Sequence, residues 1–167
     1  HDALKYLKSR KGVVEAEVFA SWNDLTTIRL NYTSDIPCNG IQEPKSLQSY
    51  GLGVLVTYKR GNRIEVGFGS VTNDLTRDGV SEALTKAKRN RVYDPDFKTL
   101  PDPLKAPTLL NHHDNNVMQI SDGDTVDLGW KVLKGSLETF HAGGYKKSII
   151  IGGDVTILKE RMAIKTT

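Results

Sequence analysis

The sequence predicts an α+β fold: an antiparallel sheet with helices packed on one face, followed by a smaller mixed α/β segment. Three observations lead there. From Tyr50 to Phe68 apolar residues recur at every second position on either side of Lys59-Arg60-Gly61-Asn62, the pattern of a hairpin with a buried face. After Asn73 they recur at helical spacing. Val14 to Tyr32 alternates as well, so helix, strands, strands and helix follow one another, an order suited to an antiparallel sheet covered on one side.

Taken in order, residues 2–10 predict the end of a helix, with Leu4 and Leu7 on one side and Gly12 as its stop. Over residues 14–22, Ala16, Val18, Ala20 and Trp22 alternate with Glu15, Glu17 and Ser21. Asn23-Asp24 has turn chemistry, and Thr26, Ile28, Leu30 and Tyr32 read as a returning strand, which makes a first hairpin. Residues 33–45 are rich in Pro, Gly, Asn, Ser and Asp and predict a loop carrying Cys38.

The second hairpin is the stretch around which the rest is arranged. Its buried face is expected to carry Tyr50, Leu52, Val54, Val56, Tyr58, Ile64, Val66 and Phe68, and its other face Gly51, Gly53, Thr57, Glu65, Gly67 and Gly69. A face with so little bulk admits close approach of another backbone. Either a helix packed tightly on the sheet or a ligand or peptide meets that description.

Asn73-Asp74-Leu75-Thr76 then reads as a helix cap, and Val80, Ala83, Leu84 and Ala87 as the buried stripe of a helix of about four turns. These elements form an expected N-terminal domain over residues 1–92. Residues 93–107 hold four of the six prolines and predict an extended connector. Within residues 108–167, Val126, Trp130, Leu133, Leu137 and Phe140 form an amphipathic stripe stopped by Gly143-Gly144, and residues 148–158 and 161–165 read as a strand pair. The sequence ends inside a strand, which carries the expectation that the protein continues beyond Thr167.

At 167 residues the chain is long enough to bury a core without a covalent staple. Cys38 stands alone, so no internal disulfide forms, and a reducing, cytoplasmic compartment is expected. No run approaches the roughly 18 apolar residues of a membrane span. A net charge of +3 is too mild to argue for a polyanionic partner. The basic runs Lys5, Lys8, Arg10, Lys11 and Lys86, Lys88, Arg89, Arg91 read as solvated helix faces, which argues against nucleic acid.

Residue chemistry offers no catalytic constellation. Gly51-Leu52-Gly53 and Gly67-Phe68-Gly69 lack the further glycine, the Lys-Ser/Thr and the following helix of a phosphate loop. His112-His113-Asp114, with His141 further along, lacks the spacing of a zinc protease and reads as an exposed loop. Cys38 has no histidine in evidence to activate it. The carboxylate pairs Glu15 with Glu17 and Asp122 with Asp124 are explained by exposure or capping. No catalytic residue, metal ligand or cofactor site is therefore assigned, and the chain reads as a scaffold or binding piece.

Several motifs in order carry a resemblance. Glu15-Ala16-Glu17-Val18, Tyr50-Gly51-Leu52-Gly53-Val54, Gly67-Phe68-Gly69, Asn73-Asp74-Leu75-Thr76 and Leu100-Pro101-Asp102-Pro103 resemble the N-terminal region of the TldD/PmbA family. The amphipathic helix and Arg161-Met162-Ala163-Ile164 look like that family's middle region. The resemblance implies a protein historically described as a modulator of DNA gyrase and understood as a zinc metallopeptidase heterodimer acting on peptides or unfolded chains. The family's HExxxH zinc motif lies downstream of the matched region and is absent from this sequence. No family metal ligand can be carried onto His112, His113 or His141, and this chain alone is expected to be inactive. The segment Asp94 to Pro103 leans toward the PmbA-like subunit, which lacks the metal motif. The expected role is a non-catalytic N-terminal region, in a homo- or hetero-dimer with a related subunit. Gly51, Gly53, Gly67 and Gly69 are its candidate peptide- or partner-binding residues. The alternative implied by the family's older name is a gyrase-associated or nucleic-acid-binding regulator without enzymatic activity.

Overall fold

The computed structural model describes residues 2–36, 40–102, 108, 110–145 and 147–167. Cys38, Pro103 and Pro107, and with them part of the expected connector, lie outside the described residues. The elements are α1 (Asp2–Lys8), β1 (Val13–Thr33), β2 (Gly40–Ile41), β3 (Lys45–Arg60), β4 (Arg63–Thr72), α2 (Arg77–Arg89), β5 (Val92–Tyr93), α3 (Asn115–Gln119), α4 (Asp122–Ala142) and β6 (Ile150–Thr166). The strands make one antiparallel sheet in the order β2-β1-β3-β4-β5, with β6 also paired to β1. The fold class is α+β, as expected.

Two expected hairpins are corrected. β1 is a single strand of 21 residues through Asn23-Asp24, and β6 a single strand of 17 residues through Lys159-Glu160. The reason is parity. A two-residue turn after Trp22 would pair Trp22 with Leu25 and move the odd-numbered residues onto the shared face. The buried residues on either side of Asn23-Asp24, Ala16 before it and Thr26, Ile28 and Leu30 after it, are instead all even-numbered, which one continuous strand preserves.

The chain divides into two compact units, one from residues 1–23, 49–108 and 160–167, the other from residues 24–48 and 109–159. This differs from the expected succession of a domain over 1–92, a connector over 93–107 and a segment over 108–167. Strands paired across the sheet are distant in sequence, so each unit draws on separated segments.

In the first unit, α1 and α2 cover one face of the sheet. Leu4 and Leu7 of α1 and Val80, Ala83, Leu84 and Ala87 of α2 join Ala16, Leu52, Val54, Val56, Tyr58 and Val71 in one buried cluster. Each fully buried Val or Leu contributes about 1.5–3 kcal/mol relative to exposure. Thr76 caps α2, its hydroxyl accepting from the Asp78 amide at 3.2 Å.

In the second unit, the buried residues of α4 are Thr125, Gly129 and Leu133, one turn apart. The buried line is therefore rotated from the predicted stripe: Trp130 is 40% exposed and Phe140 37%. A Cβ on Gly129 would stand 3.0 Å from Ile41 and 3.2 Å from Ile28, so the small residue seats the helix on the sheet. Ser121 and Asp124 form a capping box at the start of α4.

Candidate functional site

β3 and β4 join through Gly61-Asn62, with Arg60 opposite Arg63. Gly61 has φ +61°, a value suited to glycine at the first position of a two-residue hairpin turn. Because that turn pairs even-numbered residues of β3 with odd-numbered residues of β4, Val54 lies opposite Gly69 and Val56 opposite Gly67. Gly53 lies opposite Ser70, Leu55 opposite Phe68 and Lys59 opposite Ile64. The expectation that the four glycines share one face is thereby corrected. Gly67 and Gly69 are on the buried face, and Ile64, Val66 and Phe68, expected to be buried with Val54, are on the other.

The neighbours of the glycines follow this division. Cβ atoms on Gly67 and Gly69 would stand 2.1 Å from the carbonyl oxygens of Ala87 and Ala83, so α2 rests directly on β4. On the helix-free face, a Cβ on Gly53 would meet the Phe68 ring at 3.2 Å, and one on Gly51 the Val71 carbonyl oxygen at 2.6 Å. Packing within the chain thus accounts for all four. What the helix-free face presents is Phe68, 56% exposed, with half-buried Leu55, Ile64 and Val66 around it.

Toward the hairpin tip this face runs into a cleft of about 420 Å³ lined by Val14, Glu15, Thr57, Lys59, Asn62, Arg63, Ile64 and Lys98. Glu15 holds its wall together. One carboxylate oxygen accepts from the Thr99 hydroxyl, and the other from the Leu100 amide at 3.2 Å and the Thr57 hydroxyl at 3.4 Å. The Glu15 amide donates to the Thr57 hydroxyl at 3.0 Å. Thr57 is 1% exposed and Leu100 5%. A single β1 carboxylate therefore ties β3 and the segment after β5 together, with both of its oxygens engaged. In the sequence Glu15 reads as a strand carboxylate explained by exposure. Its long-range partners, Thr57, Thr99 and Leu100, leave no local signature.

On the covered face, Tyr58 lies under the Arg91 guanidinium at 4.9 Å, and Glu65 takes Arg60 at 3.7 Å and Arg91 at 3.6 Å. Burial pushes the Tyr58 hydroxyl above its usual value, and Arg91 opposes the shift. The basic runs are likewise used locally. Lys86 pairs with Glu82 one turn away at 2.9 Å, and Arg10 stacks over Tyr6 at 4.3 Å.

His112, His113 and His141 form no metal-binding cluster among the described residues. His112 and His113 are exposed ahead of α3, His113 bonded to Asn115 at 2.9 Å, and His141 lies in the last turn of α4. Among the described residues no three His, Cys, Asp or Glu side chains are placed to hold a metal ion. The donors among the described residues do not fit a zinc site. Asp122 accepts from Thr26 at 3.0 Å and from Ser46 at 3.3 Å.

No protein-family model and no curated sequence matches the chain. Among solved structures, TldE from Thermococcus kodakarensis superposes with a TM-score of 0.64 at 16% identity, covering 99% of this chain and 34% of that one. The fold is that of the TldD/PmbA proteins. A protein from Bacteroides thetaiotaomicron named as a modulator of DNA gyrase superposes with a TM-score of 0.62 at 17% identity, covering 98% of this chain and 35% of that one. The chain thus spans about a third of the length of either TldD/PmbA-fold neighbour. At such identities the likeness concerns the fold. Among the described residues no helix is long and apolar enough to cross a membrane.

Proposed function

We propose that the chain is a non-catalytic N-terminal region of a TldD/PmbA-like protein that takes part, in the cytoplasm, in processing or degrading peptides. The observation that carries this reading is the superposition of nearly the whole chain on about a third of TldE. In this reading the zinc chemistry belongs to a subunit carrying the downstream motif, and a related chain is the dimer partner. The helix-free hairpin face, with Gly51, Gly53 and Phe68, meets the extended substrate. Gly67 and Gly69, beneath α2, do not take part.

The test is peptide hydrolysis by the intact gene product purified from its native cells, with and without the copurifying subunit. Hydrolysis of an unfolded peptide that requires that subunit and is lost on chelation supports the reading. Hydrolysis by this polypeptide alone, or none by the complex, contradicts it. The name of the Bacteroides neighbour favours a second reading, regulation of DNA gyrase without enzymatic activity. A change in gyrase supercoiling by the intact protein, with no hydrolysis, would select it.

A further inference from the structure

The cleft at the hairpin tip has more cationic than anionic capacity left for a ligand. Lys59 enters from β3 and Lys98 from the segment after β5. Neither ion-pairs among the described residues, whose four salt bridges involve other side chains. Lys98 donates to the Pro95 carbonyl at 3.3 Å, an exposed contact that a carboxylate can replace. Glu15, the acidic residue in the lining, accepts three hydrogen bonds through its two oxygens, as described above. The Thr57 hydroxyl is likewise engaged with Glu15. Beside these polar groups stand Val14, 53% exposed, and half-buried Ile64. The complement of two available ammonium groups and an aliphatic wall is an anion on an apolar body, and a volume of about 420 Å³ falls within the range of small-ligand sites.

We propose that this cleft binds a carboxylate carried on an aliphatic body, the C-terminal end of an extended peptide. A peptide on the helix-free face would place its last side chain against Val14 and Ile64 and its terminal carboxylate between Lys59 and Lys98. Capture of a C-terminal carboxylate is an established mode of peptide recognition. The peptide source, unlike carboxylate capture itself, rests on the proposed peptide-processing role.

The experiment is calorimetric titration of the intact protein with three probes: an N-acetylated Ala-Ala-Leu tripeptide acid, the same tripeptide as its C-terminal amide, and hexanoate. The acid is expected to bind at least about tenfold more tightly than the amide, a difference of about 1.4 kcal/mol. Lys59→Ala and Lys98→Ala should each weaken the acid severalfold and leave the amide unchanged. Both side chains are exposed, so folding is not at risk, and Lys8→Ala on α1 serves as the charge control. Equal binding of acid and amide, an equal loss on Lys8→Ala, or no binding of any probe would overturn the proposal. Hexanoate binding as tightly as the peptide acid would support carboxylate capture and overturn the peptide source. Peptide hydrolysis by the complex alongside equal affinities for acid and amide would remove the cleft assignment and leave the proposed function standing.

Discussion

Gly69 lies directly beneath Ala83: a Cβ added to the glycine would stand 2.1 Å from the Ala83 carbonyl oxygen, and Gly67 stands in the same relation to Ala87. Both obstacles are helix backbone, which cannot rotate aside as a side chain can. Gly69→Ala or Gly67→Ala must lift α2 from the sheet and is expected to cost about 1–3 kcal/mol by urea denaturation.

Gly53→Val is expected to behave differently. Its obstacle is the ring of Phe68, 3.2 Å away, a side chain that is 56% exposed and can turn further into solvent. Stability should change by less than about 1 kcal/mol. If the helix-free face is the peptide surface, binding to the intact protein should fall while the melting temperature holds. Collapse of the fold would show that Gly53 is required for packing alone.

Glu15→Ala removes the acceptor shared by Thr57, Thr99 and the Leu100 amide. Leaving those donors without it is expected to cost about 1–3 kcal/mol. The specific readout is hydrogen exchange: the Leu100 amide should lose protection while amides in the centre of β3 keep theirs. Unchanged exchange at Leu100 would mean that the latch is not what holds this segment.

Two glycines of α4 separate helix propensity from packing. Gly135 has open space around a would-be Cβ, so Gly135→Ala should stabilise by about 0.5–1 kcal/mol. Gly129 is pressed against Ile41 and Ile28, and Gly129→Leu should destabilise by about 1–3 kcal/mol. Thermal melts of the two variants should move in opposite directions.

The carboxyls of Asp124 and Asp74 are held below their ordinary value of 3.8 by hydrogen bonds from Ser121 and Thr76, respectively. A depressed carboxyl stabilises the fold above the unfolded value, and that contribution is lost as pH falls through the lower folded value. The urea midpoint should decline as pH is lowered below about 4. Asp124→Asn should flatten part of that decline by removing one of the titrating groups.

How much of this was legible in the sequence depended on whether a feature is local. The cap at Thr76, the stop at Gly143 and the apolar alternation of β3 are set by neighbours in the chain and are readable there. The face of the β4 glycines was lost at Gly61-Asn62, because a two-residue turn shifts the pairing parity by one and carries every later side chain to the opposite face. The same rule, applied at Asn23-Asp24, would have kept β1 whole. The cleft was not legible, since Glu15, Thr57 and Lys98 meet through strand pairing and a return of the chain after β5. The buried line of α4 through Thr125, Gly129 and Leu133 turns on Gly129, whose lack of a side chain adds nothing to an apolar pattern yet lets the helix come close to Ile41 and Ile28.

The most direct test of the account is where a substrate touches. An unfolded peptide carrying a photoreactive benzophenone would be irradiated with the intact protein, and the adducts mapped by mass spectrometry. Adducts at Leu55, Ile64 and Phe68, competed away by unlabelled peptide, are the predicted result. Competable adducts confined to the outer surface of α2, or none on this chain while the intact complex hydrolyses the peptide, would contradict the placement of substrate on the helix-free face.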